Sequence, residues 1–537
     1  MDMNVIFDMV DNTTAKIKVD GPDAKNVHSF VKSSMTYIDK SVQQTNRYRY
    51  RLVSATVVLY DARKCTFPIG MVPDLFRSVR DRFPKANLQL SPELLSTFRK
   101  TGGNIEDDEL NAYIATLNLP YELRDYQFQL VKDGINRRRR SFMSCTGSGK
   151  SLALYVLIRY YLDVEDSDPL LIVPSMSLVE QMYSDFVEYG WDDIDDHCSR
   201  VHSQVDGKPT AAQLREMKKY KILPEHLMKR VVISTWQSLA NKSDKFFKRF
   251  NAIFVDEAHS CKAEVLTSVI QRCTNASTRI GVSGTLQKEW TLDGTLVRGN
   301  LGPVQVIAKT SELIKRGLLT PVQVMAVRMP YDDYSRKICG NKKTKYSDEA
   351  EMTSRCGSSE KAISLLVNTK KIKSGQNTVI LVWNKFLMER ISVIIENLYP
   401  DLNVMQYHGK VSAKKREEMR AHMETCDGNV MVATYGTMKQ GINIKRIHNI
   451  VFAQGSKSEL VVKQSIGRGL RLQEGKDLLT VFDLVDEASY TTIHNNVHHN
   501  YGVKHHFERL SYYNDDEFPV TEVTVPFISS FKDVIAE

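Results

Sequence analysis

Between about residues 120 and 310, short near-continuous apolar runs alternate with longer amphipathic stretches. The runs lie at 170–174, 231–235, 251–255 and 280–284 and are rich in Val and Ile. Runs of this kind are what strands look like when helices cover both faces of a parallel sheet. The alternation restarts with runs at 378–383, 403–407, 429–434 and 449–453. The pattern therefore predicts two tandem α/β units, at 111–315 and 361–488, joined by a charged linker or insert at 316–360. Residues 1–110 mix short β-rich runs at 5–7 and 55–60 with a helical stretch from Pro73 to Phe83, and they end in a polar segment at 100–109. They predict a small α+β domain. Residues 489–537 read as a helical C-terminal extension. No fixed-period repeat is visible, which excludes solenoids and propellers.

Composition adds limits rather than a function. With 537 residues, 42% apolar and 26% charged, the chain is an ordinary globular one and not a largely disordered one. No run approaches the ~18–20 apolar residues of a membrane span. The first residues lack the basic and apolar regions of a secretion signal, so a cytoplasmic protein with no membrane partner is expected. Eight cysteines are scattered without a C-x-x-C pair or a close Cys/His spacing, which predicts reduced thiols rather than a zinc site. The balance of 73 Lys and Arg over 64 Asp and Glu leaves a net charge of +9, a mild invitation to a polyanion.

Local motifs are more specific. Residues 144–151 fit the phosphate-loop pattern G-x-x-x-x-G-K-S/T, with Ser144 in place of the first glycine. Gly147 and Gly149 let backbone N–H groups of Thr146 to Gly149, Ser148 included, curl around phosphate oxygens. Lys150 reaches the β- and γ-phosphates, and Ser151 is placed to ligate Mg²⁺. An apolar, helix-periodic stretch follows directly, so the loop opens a helix whose N-terminus attracts anions. A second buried run ends in Asp256 and Glu257. Asp256 is placed to hold Mg²⁺, and Glu257 to orient and deprotonate the attacking water in phosphoryl transfer.

With Ala258 and His259 these acids spell the DEAH box, and the chain resembles superfamily-two helicases. Arg124 to Gln127 resembles their adenine-reading motif, in which Gln127 pairs with the adenine edge. The segments 172–181, containing Pro174, and 234–239, containing Thr235, resemble strand-gripping motifs. Ser283, Gly284 and Thr285 resemble the motif that, with His259, couples hydrolysis to movement. Residues 433–444, with Thr434 and Gly441, resemble the motif that contacts both nucleic acid and nucleotide. Residues 464–471 resemble the final motif, which brings Gln464 to the nucleotide and supplies Arg468 and Arg471 as fingers. The resemblance implies two tandem RecA-like motor domains using ATP and Mg²⁺. Because phosphate loop and fingers fall in different α/β units, ATP is expected to sit between them, and its turnover to drive a domain motion.

In segment order, including Pro68 to Gly70 and the basic tail, the whole chain resembles the UvsW recombination helicases of tailed phages. That resemblance implies an ATP-driven motor, expected as a monomer in the cytoplasm of an infected bacterium. Its partners would be duplex or branched DNA (Holliday junctions, stalled forks) and RNA–DNA hybrids in R-loops. It also implies a DNA-binding N-terminal domain, for which Arg47, Arg49 and Arg51 are candidates. As a strand, residues 46–52 would put these three on one face and Tyr48 and Tyr50 on the other, either to track phosphates or as a solvated face. Arg137 to Arg140 read as a helix end, serving either the helix dipole or DNA. His494 and His498 are one helical turn apart in a tail expected to be a basic helix on the second motor domain. Two other readings stay open: an RNA helicase or translocase subunit, and a nucleic-acid-binding module with a vestigial ATPase.

Overall fold

The apolar runs become strands because each is buried along its length: every residue of Pro169–Val173, Val231–Thr235, Ala252–Asp256 and Thr378–Val382 is buried. The computed structural model describes residues 3–535 except 44, 99–102, 202–228, 287–290, 342, 371, 373–374, 401, 439–443 and 493. The chain divides into two units, residues 1–144 with 149–308, and residues 145–148 with 309–537. Among the described residues no helix is long and apolar enough to cross a membrane.

The first unit begins with a small domain. Strands β1 (Asn4–Met9), β2 (Thr14–Asp20), β3 (Thr66–Pro68) and β4 (Asn87–Leu90) form a mixed sheet in the order β3-β2-β1-β4. Helices α1 (Ala24–Ser34) and α2 (Val72–Arg82) supply Val27, Val31, Leu75 and Val79 to its core. That core ends at Phe98, whereas Ile105 and Leu110 belong to the next one. The boundary expected at 110 therefore lies nearer 100.

The rest of the unit is a seven-stranded parallel sheet. Its strands are β5 (Arg139–Ser144), β6 (Pro169–Val173), β7 (Cys198–Val201), β8 (Val231–Thr235), β9 (Ala252–Asp256), β10 (Thr278–Ser283) and β11 (Val304–Ala308). The order is β11-β5-β10-β9-β6-β8-β7. Helices α3 (Asp125–Asn136), α4 (Lys150–Asp163), α5 (Met176–Glu188) and α6 (Leu292–Leu301) pack on it.

The small domain is locked to this sheet by buried contacts. A Cβ on Gly70 would lie 2.0 Å from the Arg298 carbonyl oxygen, so only glycine permits that backbone approach. Arg298, itself buried, pairs with Asp74 at 3.0 Å. Arg139 donates to the Asn12 carbonyl at 2.6 Å and is 1% exposed. The four-arginine run is thus not uniformly solvated. Arg137 does cap α3, but Arg139 opens β5 inside the interface, and burial pushes its pKa well down. Arg298→Ala is expected to lower stability by about 2–3 kcal/mol, below the ~3–5 of a fully buried pair because Asp74 keeps some solvent. An unchanged thermal melting point would remove this latch.

The second unit holds another seven-stranded parallel sheet. Its strands are β12 (Val322–Pro330), β13 (Thr378–Val382), β14 (Asn403–Tyr407), β15 (Asn429–Thr434), β16 (Asn449–Phe452), β17 (Leu479–Glu487) and β18 (Val520–Thr524), in the order β14-β15-β13-β16-β17-β12-β18. The linker expected at 316–360 is instead part of this lobe. β12 pairs with β17 over nine residues, and α7 (Asp333–Cys339) and α8 (Tyr346–Arg355) follow it within the same unit. The tail gives both an edge strand, β18, and a helix.

That tail helix, here called α10 (Tyr501–Asp515) with α9 (Glu459–Arg468) preceding it, docks on β17 through a buried polar cluster. Arg509 grips both oxygens of Asp483 at 2.9 and 2.8 Å, while His506 and Tyr513 each approach at 3.1 Å. Burial alone would raise the Asp483 carboxyl, but Arg509 and then His506 hold it below the usual range. His494 and His498 precede the helix, so helical spacing does not relate them.

Candidate nucleotide and nucleic-acid sites

The turn from β5 into α4 carries the phosphate loop. Gly147 and Gly149 take left-handed conformations at φ +85° and +76°, open to glycine without strain. Gly149 caps α4, and Lys150 is the first residue of that helix, where unpaired N–H groups and the helix dipole favour an anion. Lys150 Nζ donates to the Ser144 carbonyl at 3.2 Å, which turns the ammonium back over the loop. Thr146 is half-buried and Ser148 is buried. The Ser151 hydroxyl lies 2.9 Å from the Tyr189 hydroxyl, a partner that nothing in the local sequence announces.

Gln127 is committed to the protein at both ends of its amide. Its Oε1 accepts from the Arg124 backbone N–H at 2.9 Å, and its Nε2 donates to the Gly149 carbonyl at 3.1 Å. A Cβ on Gly149 would fall 2.4 Å from that Nε2, so glycine is required here by close approach as well as by φ. The amide expected to read adenine therefore tethers α3 to the phosphate loop in this structure.

Sheet order brings the remaining motifs of this unit together. β10 lies between β5 and β9, with Ser283 level with Met143 and Val282 level with Asp256. The Ser283 hydroxyl sits 2.9 Å from His259 Nδ1, donates to the Thr285 carbonyl at 2.8 Å, and reaches Glu257 Oε2 at 3.4 Å. His259 Nδ1 is 3.2 Å from the same Glu257 oxygen. The Ser283–Gly284–Thr285 turn is thus wired to Glu257 and His259. Glu257 has φ +53°, a left-handed conformation that non-glycine residues rarely adopt and that collects at functional sites.

Asp256 ends β9 and is buried, and its Oδ1 has no hydrogen-bond partner among the described residues. Burial first, and the Glu257 carboxylate second, push its pKa up to about 7, against the pull of Lys150. An unbonded carboxylate oxygen within the field of the Lys150 ammonium fits a hard divalent cation, and Ser151 is the matching hydroxyl donor. Such a cation, when bound, neutralises charge on the phosphate oxygens.

In the second unit, α9 places Gln464 and Arg468 one turn apart on one face, and Arg471 follows its end. Arg468 and Arg471 are half-buried. Thr434 ends β15, its hydroxyl 3.0 Å from that of Thr437, while Gly441 lies outside the described residues. In the first unit, Pro174 and Thr235 follow or end neighbouring strands, with Thr235 level with Val173. The Thr235 hydroxyl caps the short helix after it by accepting from the Ser238 N–H at 3.3 Å. These positions stand at the carboxyl ends of parallel strands, where α/β sheets bind ligands.

Two family models match the chain: "Type III restriction enzyme, res subunit" over residues 120–288, and "Helicase conserved C-terminal domain" over 359–473. The ATP-dependent DNA helicase uvsW of Enterobacteria phage T4 is 30% identical over 406 residues, covering 74% of this chain and 76% of that protein. The chain belongs to the UvsW helicase family. The crystal structure of T4 UvsW aligns over 99% of this chain and all of that one, at 23% identity and a TM-score of 0.46. A fragment of a putative HsdR subunit of a type I restriction enzyme from Vibrio vulnificus shares the fold, with a TM-score of 0.54 at 17% identity over 80% of this chain and 72% of that one.

In this UvsW-family chain the N-terminal arginines do not sit on the strand that residues 46–52 predict. Asn46–Arg49 is a short helix, and Arg51 follows in a left-handed turn at φ +56°, so the three do not line one face of a strand. The strand pattern fails because its apolar side has nothing to cover: Tyr50 and Leu52 are 75% and 70% exposed. Arg47 and Arg51 remain exposed cations.

Proposed function

We propose that this protein is a DNA-stimulated ATPase that translocates on duplex DNA and remodels branched substrates such as Holliday junctions, stalled forks and R-loops. The unbonded, buried Asp256 Oδ1 beside an intact phosphate loop carries the ATPase part of this reading. In it, Lys150 and the loop N–H groups bind the polyphosphate, and Ser151 and Asp256 hold Mg²⁺. Glu257 orients the attacking water and takes its proton, and the Ser283–His259 link reports the state of Glu257 to the rest of the lobe. Gln127 reads adenine by exchanging one of its two backbone bonds for the base edge. Arg468 and Arg471 supply positive charge to the γ-phosphoryl group in the transition state.

The DNA part draws support from membership of the UvsW family and from the strand-end positions of Pro174, Thr235 and Thr434. The N-terminal domain is the accessory duplex-binding element, with Arg47 and Arg51 as exposed contacts.

ATPase rates with single-stranded DNA, duplex, four-way junction, R-loop and RNA, compared at one salt concentration, test the whole reading. Stimulation is expected to be highest with the four-way junction and lowest with RNA. RNA as the strongest activator would make the protein an RNA helicase. No turnover with any of them would leave a binding module with a vestigial site.

A further inference from the structure

Beyond the finger arginines, a buried lysine with no counterpart among the helicase motifs stands close to them in the chain. Lys476 lies past the last motif and is 5% exposed. Gly475, in a left-handed turn at φ +78°, folds the chain back so that the lysine points beneath the end of α9. Its ammonium donates to three backbone carbonyls, those of Gly469, Arg471 at 3.1 Å and Lys445 at 3.2 Å. Three N–H donors thus meet three acceptors, one for each proton an ammonium carries.

Those acceptors are not equivalent parts of the fold. Gly469 and Arg471 belong to the finger segment just after α9, where a helix end leaves carbonyls without partners. Lys445 directly follows the segment 433–444 assigned above to nucleic acid and nucleotide. The Arg471 carbonyl is held a second time, by the hydroxyl of the fully buried Thr320 at 2.9 Å, and the Thr320 N–H bonds the Leu470 carbonyl at 2.7 Å.

We infer that Lys476 is a positioning residue for hydrolysis: its ammonium clamps the Arg471 segment to the segment following Ile444 and so sets where the finger guanidinium stands. This rests on the finger reading of Arg471. A role in packing alone explains the residue poorly, because an apolar side chain of similar length would fill the space without burying a charge. The burial is felt: it brings the Lys476 pKa down to about 8, with Glu424 pulling it up and Arg471 pressing it further down. His448 also faces the ammonium. Well below pH 8 the ammonium form, with three protons for the three carbonyls, predominates. Above it the neutral amine has only two protons for three carbonyls, so the clamp weakens as pH rises.

In the full chain with saturating DNA, Lys476→Met is expected to lower kcat for ATP about 10- to 100-fold, with KM for ATP within about twofold. In an Arg471→Ala background the same change should cost less than about twofold more, because the clamp acts through the arginine already removed. Wild-type kcat should decline across pH 8–9, and Arg471→Ala should lack that decline. This pH comparison needs no substitution at 476 and stands even if Lys476→Met does not fold. An unchanged kcat in Lys476→Met, multiplicative losses in the double variant, or the same pH limb in Arg471→Ala would each overturn the clamp. Arg471→Ala turning over at the wild-type rate would instead strike the finger reading beneath it.

Discussion

Lys150→Ala is expected to cut DNA-stimulated ATP turnover by on the order of 10²–10³ or more, the scale on which a preorganised charge at a transition state acts. The reason is local. Lys150 is the first residue of α4, its ammonium turned over a loop in which two left-handed glycines expose the backbone N–H groups. Removing it leaves that backbone cradle, so under the proposed reading nucleotide is still captured, but the charge developing on the γ-phosphoryl oxygens loses one of the cations assigned to it. The side chain contributes little to the core, which in this lobe is built from residues such as Leu154, Tyr155 and Phe254. Duplex DNA affinity and the melting temperature should therefore stay near those of the wild type. Phosphate release and fluorescence anisotropy on one preparation make the comparison. Near-normal turnover would remove the phosphate-loop assignment, and parallel loss of DNA binding would indicate damage to the fold instead.

Arg468→Ala should have an effect of similar size by a different route. Arginine fingers are worth about 10³–10⁵ in rate, because a guanidinium fork neutralises charge that exists only as the phosphoryl group transfers. The expected result is a large fall in kcat with KM for ATP changed by less than about threefold. Arg468 ends α9 on the face that carries Gln464, while Arg471 stands on the clamped segment beyond. The two arginines thus stand on differently held pieces of backbone. Equal losses in kcat and in nucleotide affinity would sink the finger role and make Arg468 a ground-state contact.

Much of this site is legible in the amino-acid sequence. The phosphate loop and the acid pair ending a buried run are local strings whose chemistry is suggested by residue type and spacing, while the Ser283–Thr285 turn is picked out only by resemblance to a helicase motif. Their companionship is legible there only as order along the chain. What joins them in space is that β10 inserts between β5 and β9, a sheet order that local pattern does not encode. Gln127 shows the converse. Its residue type suggests adenine, but its neighbours in space are Arg124 and Gly149, and both ends of its amide are engaged.

The departures from the sequence pattern share a cause. Alternation at 46–52 predicts a strand only where one face meets a core, and here the apolar side faces solvent. Four consecutive arginines look like a solvated or DNA-facing run until the small domain packs over Arg139. Residues 322–330 read as part of a linker because charged segments surround them, yet β12 lies between β17 and β18.

By itself, then, the sequence determined which segments are buried strands, which glycine-bearing turn opens a helix and which carboxylates follow a strand end, because these depend on contacts within a few residues. Tertiary structure alone decided which strand lies beside which, that Arg139 and Arg298 face a domain interface, and that Lys476 meets the carbonyls of Gly469, Arg471 and Lys445. A buried charge is tolerable only where partners converge on it, and for Arg139, Arg298 and the Lys445 contact of Lys476 those partners lie far along the chain and meet only in the folded protein.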